Sequence, residues 1–387
     1  MAPRKVCVVT GARSEYYLLR PVMEAIKRSA GLRLQTVVTG SHLLPEFGST
    51  VNEIELDGFS VDSRVDMVMA GDTLKAMAKS IGVGVIGLAD AIDALAPDVV
   101  LLLGDRYEML SAAIAAAYSG RVVAHIHGGD SPQGGFDEYS RHAITKMSHI
   151  HLVATEMSAR RVRQLGEDER HIFVVGSPAI DAILRDAPTR WAELEQRYGI
   201  PRGKDFLLVV QHSVSTSPDT ASAEIVMTLE ALAGTGMPMV GVFPNVDPGG
   251  AEMRKRLTSM ANGLQMHLFT NVPHADYLGL MRSCAAMVGN SSSGIIEGPT
   301  FKVPVVNIGD RQSGRERAPN VIDVPQDRAA IEGGVRRALD PAFRDGLGSM
   351  VSPYGDGRSA ERVVRILEQV ELGRQLLRKR FHDLACD

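Results

Sequence analysis

The chain of 387 residues has little of what marks several protein classes: 3 cysteines, 1 tryptophan and only 5% aromatic residues. The three cysteines, Cys7, Cys284 and Cys386, are odd in number and far apart, which argues against a disulfide framework and a thiolate zinc site. Free cysteines in apolar segments are more often small core residues than nucleophiles. The scarcity of aromatic residues argues against an aromatic-cored β-sandwich.

Long apolar runs and a charge excess are also missing. No apolar run approaches the ~18 residues of a membrane span. The apolar stretch after the basic N-terminus, Val6–Val9, is too short for the core of a signal peptide. The net charge of −4, from 42 Lys+Arg and 46 Asp+Glu, argues against a broad basic face for nucleic acid. We therefore expect a cytoplasmic protein with no nucleic-acid or membrane partner.

Glycine, by contrast, is abundant at 38 residues, and short β-branched runs alternate with segments of helical periodicity along the chain. Apolar strands separated by helices predict a parallel sheet that is covered on both faces. This alternation of strand-like and helix-like segments is interrupted over residues 178–205 and resumes at Phe206. Because the length exceeds what one core usually supports, the sequence predicts an α/β fold of two tandem Rossmann-like, doubly wound parallel sheets.

The predicted domain boundaries follow these changes in pattern. We predict an N-terminal domain with the catalytic carboxylates over 1–180, a linker region over 181–205, a C-terminal nucleotide-binding domain over 206–358 and a C-terminal segment over 359–387. That last segment contains one long predicted helix, 360–380, which we expect to pack back on the N-terminal domain. Loops at the carboxyl ends of parallel strands bind ligands, so we expect the active site in the interdomain cleft.

Two polar segments follow early strands of the first domain. Val9–Tyr16 offers backbone N–H groups and Arg13 to a phosphate, although a plain turn with a surface arginine explains it equally well. It is neither a G-x-G-x-x-G fingerprint nor a Walker loop, which weakens the case for NAD and P-loop chemistry. Asp105 and Arg106 follow the most apolar strand and are predicted to point toward a ligand, with a helix N-cap as the alternative role of Asp105.

Two further segments carry histidines and carboxylates. His125 and His127 are two residues apart at a strand end, which predicts side chains on one face. Three roles stay open for them: metal ligation with Asp130, acid–base chemistry, or a structural role. Asp137 is predicted to begin a helix whose Glu138, Arg141 and His142 share one face. A surface ion pair is the alternative, but clustered carboxylates raise one another's pKa and favour a proton-transfer role.

The second domain carries polar residues after several strands. A Gly/Ser turn leads into a helix at Ser291 and Ser292 and offers hydroxyl and N–H groups to a phosphate. Glu297 lies about one turn into that helix, within reach of ribose hydroxyls. Further polar residues at strand ends of this domain are His212, Asn245, Asp247 and Arg311.

Taken together, these segments resemble the UDP-N-acetylglucosamine 2-epimerase family, and specifically its hydrolysing branch of the sialic and legionaminic acid pathways. The matching segments lie in family order along nearly the whole chain: GARSEYYLLRP at Gly11–Pro21, GDRYE at Gly104–Glu108, HIHGGD at His125–Asp130, FDEYSRHAITKMSH at Phe136–His149, PNVD at Pro244–Asp247, GNSSSGIIE at Gly289–Glu297, GDRQSGR at Gly309–Arg315 and SPYGDG at Ser352–Gly357. Singly none of them is specific, whereas jointly they are. The family has the glycosyltransferase-B architecture, which agrees with two tandem sheets.

The resemblance also implies roles for individual residues. Asp105, Asp137 and Glu138 match carboxylates implicated in catalysis. With His127, where some family members carry Glu, and His212, they are the predicted catalytic residues. The implied substrate-binding residues are Arg13, Arg106, Ser291, Ser292, Glu297 and Arg311, with His212 beside the diphosphate or the sugar. We also predict that Asn245 and Asp247 bind the substrate. By resemblance the protein is a homo-oligomer, a dimer or a tetramer.

The implied reaction converts UDP-N-acetylglucosamine and water to N-acetylmannosamine and UDP. The C2 proton is removed while UDP leaves C1, and water then adds to the 2-acetamidoglucal. This chemistry requires neither a metal nor a redox cofactor. The alternatives are the same reaction on UDP-2,4-diacetamido-2,4,6-trideoxyglucose, a retaining UDP-sugar glycosyltransferase and a non-catalytic sensor of nucleotide sugars.

Overall fold

The computed structural model describes residues 2–70, 73–131, 137–186, 188–200, 205–214, 217–244, 249–270 and 272–383, without the side chains of Asp137 and Pro218. The chain divides into two compact units. The first unit is built from Met1–Asp130, Phe136–Ala182 and Tyr354–Asp387, and the second from Ser131–Gly135 and Ile183–Pro353. The first unit therefore contains both ends of the chain.

The strands form one sheet in each unit, and every strand pair is parallel. The first sheet has the order β3-β2-β1-β4-β5-β6-β7 and the second the order β10-β9-β8-β11-β12-β13. The strands are β1 Arg4–Thr10, β2 Leu32–Thr39, β3 Ser63–Val65, β4 Val99–Leu103, β5 Val122–Ile126, β6 Ile150–Val153, β7 Ile172–Val174, β8 Leu207–Val210, β9 Met239–Val242, β10 Met266–Phe269, β11 Ala286–Gly289, β12 Val305–Ile308 and β13 Val321–Val324.

Helices connect these strands. They are α1 Arg13–Arg28, α2 Val51–Leu56, α3 Leu74–Leu95, α4 Tyr107–Tyr118, α5 Asp137–Met147, α6 Glu156–Gln164, α7 Pro178–Arg185, α8 Trp191–Tyr198, α9 Ala221–Ala233, α10 Gly250–Ala261, α11 His274–Ser283, α12 Ser292–Ile296, α13 Gly298–Phe301, α14 Arg328–Leu339, α15 Pro341–Gly346, α16 Ser359–Gln369 and α17 Arg374–Leu377. The helix α3 is the longest of them.

Each sheet is covered on both faces. In β1, Val6 and Val8 belong to one core cluster, whereas Cys7 and Val9 belong to the cluster on the other face. The second sheet likewise separates two clusters. Alternate residues of an apolar strand enter opposite cores, so continuous apolar runs are what a doubly wound sheet needs. The predicted fold of two doubly wound parallel sheets is confirmed.

The segment predicted as a linker, 181–205, is largely helical. The helix α7 spans the boundary between the units, and α8 lies in the second unit. Leu194 and Tyr198 of α8 are buried in one of the second unit's cores. Pro188 lies between the two helices, and the charged residues among 193–197 lie within α8.

The predicted C-terminal helix over 360–380 is wrong in its length. The helix α16 ends at Gln369, and only the short α17 follows, beginning after Gly373. Glycine carries a high conformational cost inside a helix, which explains the interruption. Val363 and Leu367 of α16 are fully buried in the core of the first unit, against α1.

The two described cysteines are core residues, as predicted. Cys7 and Cys284 are buried and unpaired, and burial raises the pKa of both thiols to about 12. Cys386 lies outside the described residues. Within the described part of the chain, no helix combines the length and apolar character needed to cross a bilayer.

Candidate active site

The polar segments of the first unit leave the sheet where its strand order reverses. Strands β1 and β4 are neighbours in the sheet, and the chain continues from β1 to β2 on one side and from β4 to β5 on the other. Loops at such a switch point diverge and leave a crevice for a ligand. Arg13 follows β1 and Asp105 follows β4, so the two segments predicted to bind ligand lie at adjacent strand ends.

Asp105 is held by a buried arginine. One terminal nitrogen of Arg141 donates to Asp105 Oδ2, and the other donates to the backbone oxygen of His127 over 2.9 Å. The side chain of Arg141 is only 5% exposed, against 17% for Asp105. The N-cap of α4 is Arg106, which makes no side-chain capping bond, so the alternative role of Asp105 as an N-cap is wrong.

The shared helix face predicted for α5 is only partly realised in its contacts. Glu138 Oε1 lies 2.9 Å from His142 Nε2, in the half-buried pair expected at this spacing. Arg141 instead binds Asp105 from a different loop. Asp137 begins α5, and its side chain lies outside the described residues. Sequence spacing on one helix therefore found the Glu138 pair but missed the partner of Arg141.

The two neighbouring histidines contact different groups. His125, in β5, donates from Nε2 to the backbone oxygen of Gly104 over 2.7 Å, with Thr145 Oγ1 at 3.2 Å from Nδ1. Burial lowers the pKa of His125 to about 3, so the ring is neutral and structural. His127 lies beyond the end of β5 with a φ of +64°, which breaks the strand alternation that predicted a common face.

Both ring nitrogens of His127 are in hydrogen bonds. Nδ1 lies 3.0 Å from Asp130 Oδ2, and Nε2 lies 3.0 Å from Ser177 Oγ. A direct proton transfer between His127 and a substrate would require one of these bonds to break. Across the described residues, no group of three or more metal-ligating side chains occurs, so the metal interpretation of this segment gains no support.

The two arginines predicted to bind substrate in the first unit are both held by carboxylates. Arg106 pairs with Glu108 through two bonds of 2.7 and 3.1 Å, and Glu15 lies 3.9 Å from its Nε. Burial, with the nearby Glu108 charge, raises the pKa of Glu15 well above its usual range. Arg13 lies 3.3 Å from Glu53. The side chains of Arg106 and Arg13 stay more than a third exposed, at 39% and 47%.

In the second unit the strand order reverses between β8 and β11. The Asn290 side chain joins the two strand ends: its Oδ1 accepts from the His212 N–H over 2.7 Å, and its Nδ2 donates to the His212 backbone oxygen over 2.9 Å. The preceding Gly289 has a φ of +138°, and a Cβ there would lie 2.0 Å from the backbone oxygen of Val210. Only glycine allows this approach.

Arg311 belongs to the same group. Its guanidinium donates to the Asn290 backbone oxygen over 3.1 Å, and Gln312 Nε2 donates to the same atom over 3.1 Å. Burial, followed by the charge of Arg311, lowers the pKa of the buried His212 to about 3. At neutral pH, His212 is therefore a neutral ring that can hydrogen-bond to a ligand but carries no positive charge.

The hydroxyl groups of the serine turn bind one another and a neighbouring tyrosine. Ser291 is the N-cap of α12, and its Oγ lies 2.9 Å from Ser293 Oγ, which in turn lies 2.5 Å from Tyr277 OH. The helix that begins at Ser292 has only five residues, so local N–H groups rather than a long helix dipole would attract an anion. Burial raises the pKa of Glu297, at the end of α12, to about 7.

The structure thus joins some of the predicted residues by hydrogen bonds within each unit, whereas Arg13, Arg106 and Glu138 bind other partners and Ser291 contacts Ser293. Arg141 joins Asp105 to His127 in the first, and Asn290 joins His212 to Arg311 in the second. Asn245 and Asp247 lie outside the described residues. Sequence reasoning gave no role to Ser177 or Asn290, because their partners lie 50 and 78 positions away along the chain.

Two Rossmann-like units with polar residues at the switch point of each sheet define a nucleotide-binding type of α/β protein. The sequence profile of the family described as UDP-N-acetylglucosamine 2-epimerase matches residues 24–368. The chain therefore belongs to the UDP-N-acetylglucosamine 2-epimerase family, and the comparisons with individual relatives place it with members named as hydrolysing.

Individual relatives cover nearly the full chain. A Legionella pneumophila protein named UDP-N,N'-diacetylbacillosamine 2-epimerase (hydrolyzing) is 38% identical over 97% of this chain and 98% of its own. A Campylobacter jejuni protein named GDP/UDP-N,N'-diacetylbacillosamine 2-epimerase (hydrolyzing) is 37% identical over 84% and 85%. The Escherichia coli polysialic acid biosynthesis protein P7 is 33% identical over 98% of each chain.

A solved structure agrees with the fold. The UDP-GlcNAc 2-epimerase from Neisseria meningitidis, in a crystal structure bound to UDP-GlcNAc, superposes with a TM-score of 0.82 over 94% of this chain and 99% of that chain. The sequence identity in this comparison is 19%, so the likeness shows a shared fold. The glycosyltransferase-B type of architecture predicted from the sequence is thereby confirmed.

Proposed function

We propose that the protein is a hydrolysing 2-epimerase that converts a UDP-2-acetamido sugar and water to UDP and the free sugar inverted at C2. The observation that carries this proposal is the 38% identity, over 97% of the chain, to a relative named for this reaction. Family membership alone supports an enzyme that acts on a UDP-sugar.

We assign proton transfer to residues of the first unit and binding of the UDP group mainly to residues of the second. In the first unit, the carboxylates Asp105, Asp137 and Glu138 supply proton transfer at C2 and to the glycal. In the second unit, Ser291, Ser292 and Arg311 bind the diphosphate, and Glu297 binds the ribose. The neutral His212 donates a hydrogen bond to the diphosphate or the sugar, since its pKa of about 3 rules out a charged ring at neutral pH. Arg13 and Arg106 add exposed guanidinium groups for the phosphate oxygens.

The proposed reaction has two steps that balance. The C2 proton passes to a carboxylate while the C1–O bond breaks, the bonding electrons leave with UDP, and a C1–C2 double bond remains. Water then adds its oxygen at C1 and gives up one proton to a carboxylate. A carboxylic acid donates a proton to C2 on the face opposite to the one from which the first proton was removed. The first step requires a base and stabilisation of the leaving diphosphate, and each well-placed proton-transfer group contributes ~10²–10⁴-fold.

Two substrates are candidates, UDP-N-acetylglucosamine and UDP-N,N'-diacetylbacillosamine, which is UDP-2,4-diacetamido-2,4,6-trideoxyglucose. The names of the 38% and 37% identical relatives favour the second. The Neisseria meningitidis relative named UDP-N-acetylglucosamine 2-epimerase is 29% identical over 98% of this chain, which supports the first less strongly. We therefore expect the higher kcat/KM on the diacetamido sugar.

The test is incubation with each UDP-sugar in deuterated water, followed by NMR of the products. We expect free UDP and a free sugar with the manno configuration and one deuterium at C2. A product that keeps its C2 proton would indicate a glycosyltransferase, and an epimerised sugar still linked to UDP would indicate a non-hydrolysing epimerase. Binding without release of UDP would indicate a sensor. The Asp105→Asn variant, purified in parallel, controls for contaminating activity.

A further inference from the structure

A buried chain of hydrogen bonds surrounds His127 in the first unit. Its ring bridges Asp130 and Ser177, and Asp130 Oδ1 accepts a further bond of 2.7 Å from Ser158 Oγ. Asp130 is 4% exposed, Ser177 1% and the ring of His127 7%. The ring is therefore almost completely buried, with both nitrogens already in hydrogen bonds, although His127 is one of the predicted catalytic groups.

The backbone of His127 is held in an unusual conformation. Its φ of +64° is uncommon for a residue other than glycine, and such conformations persist where the surrounding contacts over-determine them. The contacts here are the two ring bonds and a bond from Arg141 to the His127 backbone oxygen. The same Arg141 guanidinium binds Asp105. A change in the ring is thus two hydrogen bonds away from the Asp105 carboxylate.

The partners fix which ring nitrogen carries the proton. The ionised carboxylate of Asp130 only accepts hydrogen bonds, so His127 Nδ1 donates to it. Ser177 Oγ accepts from the N–H of Ala179 over 3.3 Å and also carries a hydrogen, which it can donate to an unprotonated Nε2. These bonds are all satisfied by a neutral imidazole with its hydrogen on Nδ1.

We propose that Asp130 and Ser177 are positioning residues: they hold His127 as the Nδ1–H imidazole, and the ring fixes the backbone oxygen that orients Arg141 and, through it, Asp105. His127 itself is then a positioning residue rather than a proton-transfer group. The effect on turnover rests on the proposed function, whereas the protonated nitrogen of His127 is measured without a substrate.

The first measurement is NMR of the full-length protein labelled with ¹⁵N-histidine. The His127 signals are assigned by their loss in His127→Asn, because asparagine tolerates the left-handed backbone. We expect one protonated ring nitrogen, Nδ1, in the wild type and in Ser177→Ala, where Asp130 remains, and a mixture of the two neutral forms in Asp130→Asn. A wild-type ring protonated only at Nε2, or at both nitrogens, would overturn the assignment.

The second measurement compares kcat and KM for Asp130→Asn and Ser177→Ala. We expect kcat to fall ~10–100-fold, the range typical of partners that orient a functional group, with KM changed less than about threefold. The matched control is Glu167→Gln, which alters the buried pair of Glu167 and His151, 3.0 Å apart, elsewhere in the same unit. We expect this control to lose thermal stability and to keep its kcat.

Two outcomes would overturn the positioning role. One is a loss of kcat no larger than that of Glu167→Gln. The other is a loss in Ser177→Ala that exceeds ~100-fold and is as large as that of Asp105→Asn, which would make the serine part of the chemistry. If Asp130→Asn does not fold, Ser177→Ala and the wild-type spectrum still decide. A wild type that releases no UDP from either sugar would contradict the proposed function and leave the NMR result standing.

Discussion

At the scale of single residues, the charges of the candidate site are held by partners inside the protein. Arg141 binds Asp105, Glu108 binds Arg106, and Asn290 fixes the backbone of His212. Hydrogen bonds of this kind set a side chain's position before a ligand arrives, so less is lost in ordering it during the reaction. A substitution that keeps the shape of such a residue and removes its charge therefore separates chemistry from positioning.

Asp105→Asn is the substitution that tests the proposed proton transfer. The amide keeps the shape of the carboxylate but cannot take the proton from C2 of the sugar. We therefore expect kcat to fall ~10²–10⁴-fold while UDP affinity stays within about threefold. Turnover is measured by UDP release and affinity by calorimetry. Asp98→Asn is the control, because Asp98 is exposed at the opposite end of the same strand and binds the Lys5 N–H. Loss of UDP binding in Asp105→Asn, with the fold intact, would contradict the role.

Glu297 makes stability depend on pH. Burial raises its pKa from 4.5 to about 7 in the folded protein, so the fold retains a proton that the unfolded chain has lost. Its contribution to stability is therefore constant below pH 4.5 and becomes less favourable as pH rises from 4.5 through 7. For a half-buried side chain we expect a loss of about 1–3 kcal/mol in the free energy of unfolding across this window.

The check for Glu297 is urea unfolding of the wild type and Glu297→Gln at pH 5 and pH 8. The variant should lack this part of the fall, because glutamine does not ionise. Glu332→Gln, on the surface helix α14, should keep the fall of the wild type. Equal pH dependence in the wild type and Glu297→Gln would rule out the raised pKa.

The predictability of the site follows from the distance along the chain between its partners. The sequence placed Asp105, Arg106 and His127 at strand ends because apolar runs end there, and the structure agrees. It paired Arg141 with its own helix, whereas the partner is Asp105, 36 positions away. His127 contacts Ser177 and has a left-handed backbone. No local sequence pattern predicts that conformation for a histidine.

At the scale of elements, the strands of high apolar content were predictable and the edge strand β3 was not. The strand β4 is a run of five buried aliphatic residues, the kind of short apolar run from which the sequence analysis predicted a parallel sheet. The sequence analysis missed β3, Ser63–Val65, which pairs with a single neighbour at the sheet edge and has one buried apolar residue. Pairing with β2 rather than local composition makes this segment a strand.

The start of α16 is held by a residue from another element. Asp181, in α7, accepts the N–H groups of Ser359 and Ala360 over 3.0 and 2.8 Å, and both bonds are buried. Asp181→Ala leaves two buried donors unpaired, so we expect a loss of about 1–3 kcal/mol in stability, with faster hydrogen exchange in α16. Asp327→Ala is the control, since Asp327 caps α14 at an exposed N-terminus. Exchange in α16 that is equal in the two variants would contradict the role of Asp181.

At the scale of the whole molecule, the first unit is built from both the beginning and the end of the chain. That unit takes residues 1–130 from the start of the chain and Tyr354–Asp387 from its end. The second unit is formed mainly by the continuous segment Ile183–Pro353. The first unit's core is therefore incomplete until the C-terminal segment has been added, whereas the second unit's cores draw on residues within 194–338.

Removal of residues 354–387 should consequently unfold the first unit and spare the second. The truncation removes Val363 and Leu367, both fully buried, and each buried side chain of this kind contributes about 1.5–3 kcal/mol. It also leaves Asp181 without the amides that it binds. The summed loss is comparable with the ~5–15 kcal/mol stability of a typical domain.

Hydrogen exchange measured by mass spectrometry separates the two units in one experiment. In the chain that ends at Pro353, the amides of β1 and β4 should exchange rapidly, while those of β8 and β11 keep their protection. A chain that ends at Leu377 retains α16 and α17 and lacks only the segment of Lys379, whose ammonium group binds Glu167; we expect it to keep most of its protection in β1 and β4. Protection retained equally in both units of the shorter chain would show that α16 is dispensable, and the buried contacts of Val363 and Leu367 would then add little to the first unit's stability.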